Sequence, residues 1–148
     1  MIFILIILIV TSADLLIKNH IERYYRNGKE KHILGGLIRI RKLNNYGGFL
    51  NYLENHFTIL KILSSILILI IAVLFAKVLP KAGLSLKKAG LSLILGGALS
   101  NEYDRYSKGC VTDYFSINLP FIKKIVFNIG DFAIFAGILF SLTGNSKK

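Results

Sequence analysis

Residues 57–79 read FTILKILSSILILIIAVLFAKVL, a run whose only ionisable residues, Lys61 and Lys77, lie near its ends. A helix needs about 20 mostly apolar residues to cross a bilayer, so this stretch points away from a soluble domain. Three further segments approach the same character: Ile2 to about Ile21, Leu84 to about Tyr103, and Ile125 to Thr143. None is clean, because Asp14 and Lys18 interrupt the first, Lys87 and Lys88 open the third, and Asp131 sits in the fourth. Ionisable residues in such segments are costly and usually face protein or a water-filled cavity, which makes them candidates for function. The expectation is an integral membrane, mainly α protein with four transmembrane helices, residues 1–148 forming a single membrane-embedded domain.

Composition agrees. The 148 residues are 53% hydrophobic, with a mean hydropathy of +0.57, greasier than an average soluble domain. Lys and Arg number 19 against 8 Asp and Glu, a net +11. A nucleic-acid binder would gather those cations on a folded polar surface and not part them with aliphatic runs. The basic excess therefore reads as facing membrane lipids with anionic headgroups, and no nucleic-acid partner is expected. Cys110 is the single cysteine, so no disulfide framework or zinc site can be built, and it reads as a small buried filler. His20, His32 and His56 lack ligand spacing and read as surface residues; no metal and no cofactor is expected.

Threading the helices up and down brings Asp14, Glu102, Asp104 and Asp131 to one side of the membrane. The opposite side receives the Lys77 to Lys88 link, which has four lysines and no acid, and the tail ending Lys147 and Lys148. By the positive-inside rule that side is cytoplasmic, with both termini, and the carboxylates are extracytoplasmic. The basic 18–54 stretch, which also holds Glu22, Glu30 and Glu54, strains the rule. A cleavable signal peptide ending at Thr11-Ser12-Ala13 is a competing reading of the first segment, weakened by the absence of a positive n-region.

The outer connections carry most remaining polar residues. Ile38-Arg39-Ile40-Arg41 alternates with period two and runs into Asn44-Asn45-Tyr46-Gly47-Gly48, a strand entering a glycine turn. Later, Val111, Asp113, Phe115, Ile117 and Leu119 share one face of an extended segment, while Thr112, Tyr114, Ser116 and Asn118 share the other. A small extracytoplasmic β element is expected. Tyr103, Tyr106, Tyr114 and Phe115 read as an interfacial aromatic belt, and Gly96 and Gly97 as permitting close helix packing.

Asn101, Asp104 and Arg105, spaced i, i+3 and i+4, project on one helix face, and Asn128 and Asp131 repeat the i, i+3 spacing. Asp14 and Lys18, at i, i+4 with the acid first, suit an internal ion pair. Asp104 is expected to contact Arg105 or nearby backbone. With Asp113 added, the outer face collects two free carboxylates with amide and guanidinium support around them, the equipment of an aspartic protease. From the residues alone, each could equally cap a helix or anchor a loop.

The sequence resembles the lipoprotein signal peptidase, or signal peptidase II, family. Asp14-Leu15-Leu16-Ile17-Lys18 resembles its first-helix Asp and Lys pair, and Asn45-Tyr46-Gly47-Gly48 its Asn-x-Gly motif. Gly96-Gly97-Ala98-Leu99-Ser100-Asn101-Glu102-Tyr103-Asp104-Arg105 is similar to GGAxGNxxDR, Val111-Thr112-Asp113-Tyr114-Phe115 to VVDF, and Phe127-Asn128-Ile129-Gly130-Asp131 to FNxAD. The resemblance implies a bacterial, multi-pass cell-membrane enzyme, a monomer, with a catalytic dyad of Asp113 and Asp131. It implies a supporting or substrate-binding set of Asp14, Lys18, Asn45, Gly47, Asn101, Asp104, Arg105 and Asn128. The implied partner is a diacylglyceryl-modified prolipoprotein, cut just before its lipidated cysteine. Ser100 stands for a glycine of the pattern, Gly130 for an alanine, and the turn after Asn45 is shortened. The rival expectations are an inactive lipoprotein-binding paralogue and a non-enzymatic ion pathway. Against the latter, the cytoplasmic halves of the helices are nearly pure Leu, Ile, Val and Ala.

Overall fold

The computed structural model describes residues 1–25, 28–47 and 56–144. Gly48 of the glycine turn, Glu54, Lys147 and Lys148 lie outside them. The four expected helices form: α1 (Ile2–Tyr24), α2 (Phe57–Val78), α3 (Ser85–Lys108) and α4 (Ile129–Thr143). Helices α1 and α2 are long and apolar enough to cross a membrane, and α4 is a shorter apolar helix. Helix α1 runs unbroken through Thr11-Ser12-Ala13.

Helices α2 and α4 run antiparallel to α3, and α1 runs parallel to it. Contacts among Asp14, Glu102, Asp104 and Asp131 and their partners gather the carboxylates at one end of the bundle, as the up-and-down threading requires. Helix α3 is the central member, packing on α1, α2 and α4. Small residues allow this. A methyl at Gly97 would collide with the Gly130 carbonyl oxygen, and one at Gly137 would lie 2.5 Å from that of Gly90, so α3 and α4 touch backbone to backbone. Gly96 lets Val10 of α1 close in from the other side. Helix α2 rests chiefly on α3, where Phe75 and Val78 meet Leu91 and Leu95 in a buried apolar cluster.

The carboxylate end is roofed by a three-stranded antiparallel sheet in the order β1 (Glu30–Ile33), β2 (Ile38–Asn45), β3 (Val111–Ile117). Strand β1 had no periodic signal; Glu30 ties it down by pairing with Arg39 and Arg41 on β2. Helix α3 outruns its expected end at Tyr103 and stops at Lys108, where Gly109 takes a left-handed φ of 73° that favours glycine and turns the chain into β3.

Two further expectations need correction. The fourth helix begins at Ile129 and not at Ile125. Phe127 is extended because it bonds to the backbone of Tyr114 and Phe115, so the helix waits for the Asn128 cap. Both faces of strand β3 are covered, Thr112, Tyr114 and Ser116 being as buried as Val111 and Asp113. Tyr114 thus leaves the aromatic belt for the interior, while Tyr103 and Tyr106 are exposed. Phe115 stacks on Phe132 at 4.8 Å and binds strand to helix.

Candidate active site

Asp113 enters from β3 and Asp131 from the first turn of α4, and both line one cavity of about 670 Å³. The pairing of Phe127 with β3 is what brings the helix start beside Asp113. Asn128 joins the two acids. Its Nδ2 donates to Asp113 Oδ1 at 2.7 Å, while its Oδ1 accepts the Asp131 N–H at 2.9 Å and its own N–H donates to Asp131 Oδ2 at 3.1 Å. That reciprocal pair is a capping box in which Asp131 is the third helical residue.

Two more asparagines complete the set. Asn45 lies at the end of β2, diagonal to Asp113 because Leu43 is the residue directly opposite. Its Nδ2 donates to Asp113 Oδ2 at 2.9 Å, and Gly47 N–H donates to its Oδ1 at 3.2 Å. Asn101 Nδ2 donates to Asp131 Oδ1 at 3.0 Å, its Oδ1 accepting from Lys18 at 2.8 Å. Each amide is thus oriented by a second contact, and each turns its NH2 toward an acid.

Asp113 is 2% exposed. Burial, and then the neighbouring Asp131 carboxylate, push it up to about 7, against the pull of the Asn45 and Asn128 donors. A carboxyl that changes charge near neutrality beside a second carboxyl is suited to general acid and base work.

Beneath these residues lies a fully buried ionic group. Lys18 pairs with Asp14 at 2.8 Å, as its spacing requires, and reaches Asp104 Oδ2 at 3.4 Å. Of the contacts expected for Asp104, the one with Arg105 does not form and the one with nearby backbone does. Adjacent helical residues point about 100° apart, so Asp104 meets Lys108 at i+4 (2.7 Å) and accepts the Thr112 N–H (3.1 Å), while Arg105 meets Glu102 at i−3 (3.2 Å). Arg105 lines the cavity; Asp104 is fully buried and does not.

The sequence reading missed Ser100, Tyr114 and Glu102. Ser100 and Tyr114 bind Asp14, and Glu102 accepts hydrogen bonds from Ser64 at 2.6 Å and Ser65 at 2.5 Å, latching α2 to α3. The i, i+3 rule could have found Glu102 with Arg105; nothing in the spacing pointed to the serines. Gly47 is buried at the turn and acts on the site through Asn45. His20, His32 and His56 are exposed and Cys110 is buried, as expected. Away from the acids the cavity is walled by aliphatic side chains of α2, α3 and α4, including Leu67, Ile71, Ile94 and Ile138.

Comparison with known proteins gives this geometry a family. The model of the family described as signal peptidase (SPase) II matches residues 6–144. A lipoprotein signal peptidase of Caldicellulosiruptor bescii is 34% identical over 140 residues, 94% of this chain and 87% of the relative. One of Lactobacillus johnsonii is 33% identical over 137 residues, 93% and 86% of the two chains. A bacterial membrane enzyme solved by the in meso method at 2.3 Å resolution shares the fold with a TM-score of 0.79 at 22% identity, over 99% of this chain and 92% of its own. The chain therefore belongs to the signal peptidase II family, and it is an integral membrane, mainly helical protein.

Proposed function

We propose that the chain is an aspartic endopeptidase whose dyad is Asp113 and Asp131, removing the signal peptide from diacylglyceryl-modified prolipoproteins. Membership in the family makes it a protease, and its relatives carry the name lipoprotein signal peptidase. The observation that carries the aspartic assignment is the pair of acids joined through Asn128 on a cavity whose helical walls are mostly apolar. Such a cavity accepts an apolar signal segment and acyl chains while presenting the peptide bond to the acids.

In this reading one proton is shared by the pair. Asp131, at the N-terminus of α4 where negative charge is favoured, takes a proton from a water molecule. The water oxygen adds to the carbonyl carbon before the lipidated cysteine. Asp113, protonated up to about pH 7, gives its proton as the C–N bond breaks, so the departing nitrogen leaves as the free amine of the cysteine and the signal peptide leaves as a carboxylic acid. The proton taken by Asp131 restores the one-proton pair. Arg105 and Asn45 support the substrate, and the buried Asp14, Lys18, Asn101 and Asp104 hold the acids in place.

All four helices span the membrane in this proposal, with the sheet and dyad extracytoplasmic, both termini cytoplasmic and lipid headgroups around the basic surface. The protein acts as a monomer. The inactive-paralogue and ion-pathway readings have no observation in their favour: both acids are supplied with oriented donors, and the cavity's polar lining is confined to one end. The test is cleavage of a purified lipidated prolipoprotein. The unmodified protein should cut it, and Asp113→Asn and Asp131→Asn should each abolish cutting while still binding the lipopeptide, because an amide can neither take the proton from water nor return it. An Asp131→Asn protein that cuts at the normal rate would remove the dyad.

A further inference from the structure

Asp14 is fully buried on α1 and does not line the cavity, yet three donors converge on it. Ser100 Oγ donates to Oδ2 at 2.6 Å, Lys18 Nζ to the same oxygen at 2.8 Å, and Tyr114 OH to Oδ1 at 3.0 Å. The direction of each bond is fixed by its neighbours. Ile129 N–H donates to the Tyr114 oxygen at 2.9 Å, and Lys18 Nζ donates to the Ser100 oxygen at 3.1 Å. A hydroxyl has one proton, so both hydroxyls must aim theirs at Asp14. Gly130 leaves room for the carboxylate, as a methyl there would stand 2.9 Å from Asp14 Oδ2.

The consequence passes through Lys18. An ammonium only donates, so Asn101 must show it Oδ1, at 2.8 Å, and is then left with Nδ2 facing Asp131 at 3.0 Å. Tyr114 adds a second route: it follows Asp113 in β3 and binds the first residue of α4, two before Asp131. We infer that Ser100 and Tyr114 are positioning residues whose hydroxyls, through Asp14 and Lys18, set the Asn101 amide and the head of α4 so that Asp131 receives a donor. The inference rests on the reading of Asp131 as a catalytic group. Neither hydroxyl lines the cavity, so their loss should be felt by the reacting groups and not by substrate binding.

The test uses the full-length protein in detergent micelles with Ser100→Ala, Tyr114→Phe, the double variant and Asp131→Asn, assayed against a lipidated prolipoprotein over a range of concentrations. Each single variant should lower kcat about ten-fold with KM within about two-fold of the parent. The double variant should lose less than the product of the two single losses, because both hydroxyls act on one carboxylate while Tyr114 also binds the head of α4. A general loosening of the bundle would raise KM as kcat falls and make the losses multiply in the double variant, and that result would overturn the inference. Singles that cut at the parent rate would overturn it too, while an inert Asp131→Asn leaves the dyad standing. A parent that does not cut, or an Asp131→Asn that does, would overturn the aspartic reading and this inference with it.

Discussion

Replacing Asp113 with Asn should make the protein inert and, above neutral pH, more stable. The carboxyl titrates at about 7 in the fold against an ordinary value of 3.8. Between those values the folded state holds a proton that the unfolded state has lost, so stability falls as pH rises, beginning near 3.8 and ending just above 7. At 1.36 kcal/mol for each tenfold change in acidity, the ionised group costs the fold about 4 kcal/mol at alkaline pH. An amide is spared that cost but loses something else. Asp113 accepts from both Asn45 and Asn128, and an Asn in its place would turn an NH2 toward one of them, losing about 1 to 2 kcal/mol. The balance is a gain of about 2 to 3 kcal/mol at pH 8.5 and nearly none at pH 5. Denaturation in detergent micelles at the two pH values, parent against Asp113→Asn, measures it. A difference independent of pH, or a variant less stable at both, would show that Asp113 is not held in the high-pKa state from which its role as proton donor was argued.

Lys18→Met should cost about 3 to 5 kcal/mol, since it leaves Asp14 and Asp104 buried without their shared cation; yield and melting temperature report it, and near-parent stability would contradict the network. Gly97→Ala should destabilise by about 3 kcal/mol by forcing α3 from α4, and activity should fall with it because α4 carries Asp131; an unchanged melt would refute the backbone contact. A cysteine at Ala82 should react with an impermeant thiol reagent only from the cytoplasm and one at Asn118 only from outside, both positions being exposed. Cys110 gives little background, being buried and with its thiol pushed up by that burial; labelling of Asn118→Cys from inside would invert the topology. Cleavage should fall on the alkaline side as Asp113 loses its proton, with an apparent pKa near 7, and a rate still rising through pH 9 would contradict its role as acid.

Helices α1 and α2 were legible because each is written as a long apolar run, α3 and α4 less sharply because polar residues lie at their ends, and the Asp14 and Lys18 pair because i, i+4 spacing is a property of the helix itself. Contacts that cross between elements were not. Asn45 reaches Asp113 across 68 residues of chain only because β2 and β3 pair in one register, with an irregularity between Ile40 and Leu43. Pairing Asp104 with Arg105 followed sequence adjacency where helical geometry favours three- and four-residue steps. Strand β1 was hidden because it owes its place to charge pairing on an exposed edge and not to an apolar face. The convergence of Ser100 and Tyr114 on Asp14 needed three elements to be in place at once, which no local pattern encodes.

Helix α2 leans on α3 and leaves the cavity running between itself and α4, with aliphatic side chains from both as walls. In the proposed topology, with α2 and α4 both crossing the membrane, an opening between them would face the hydrocarbon and not the water, and a lipid-bearing precursor would reach the acids by diffusing within the plane of the bilayer. The quantity that governs its encounter rate is then its mole fraction among the surrounding lipids. Adding inert lipid or detergent thins the substrate in two dimensions and slows turnover, even when the amount of substrate per millilitre is held constant.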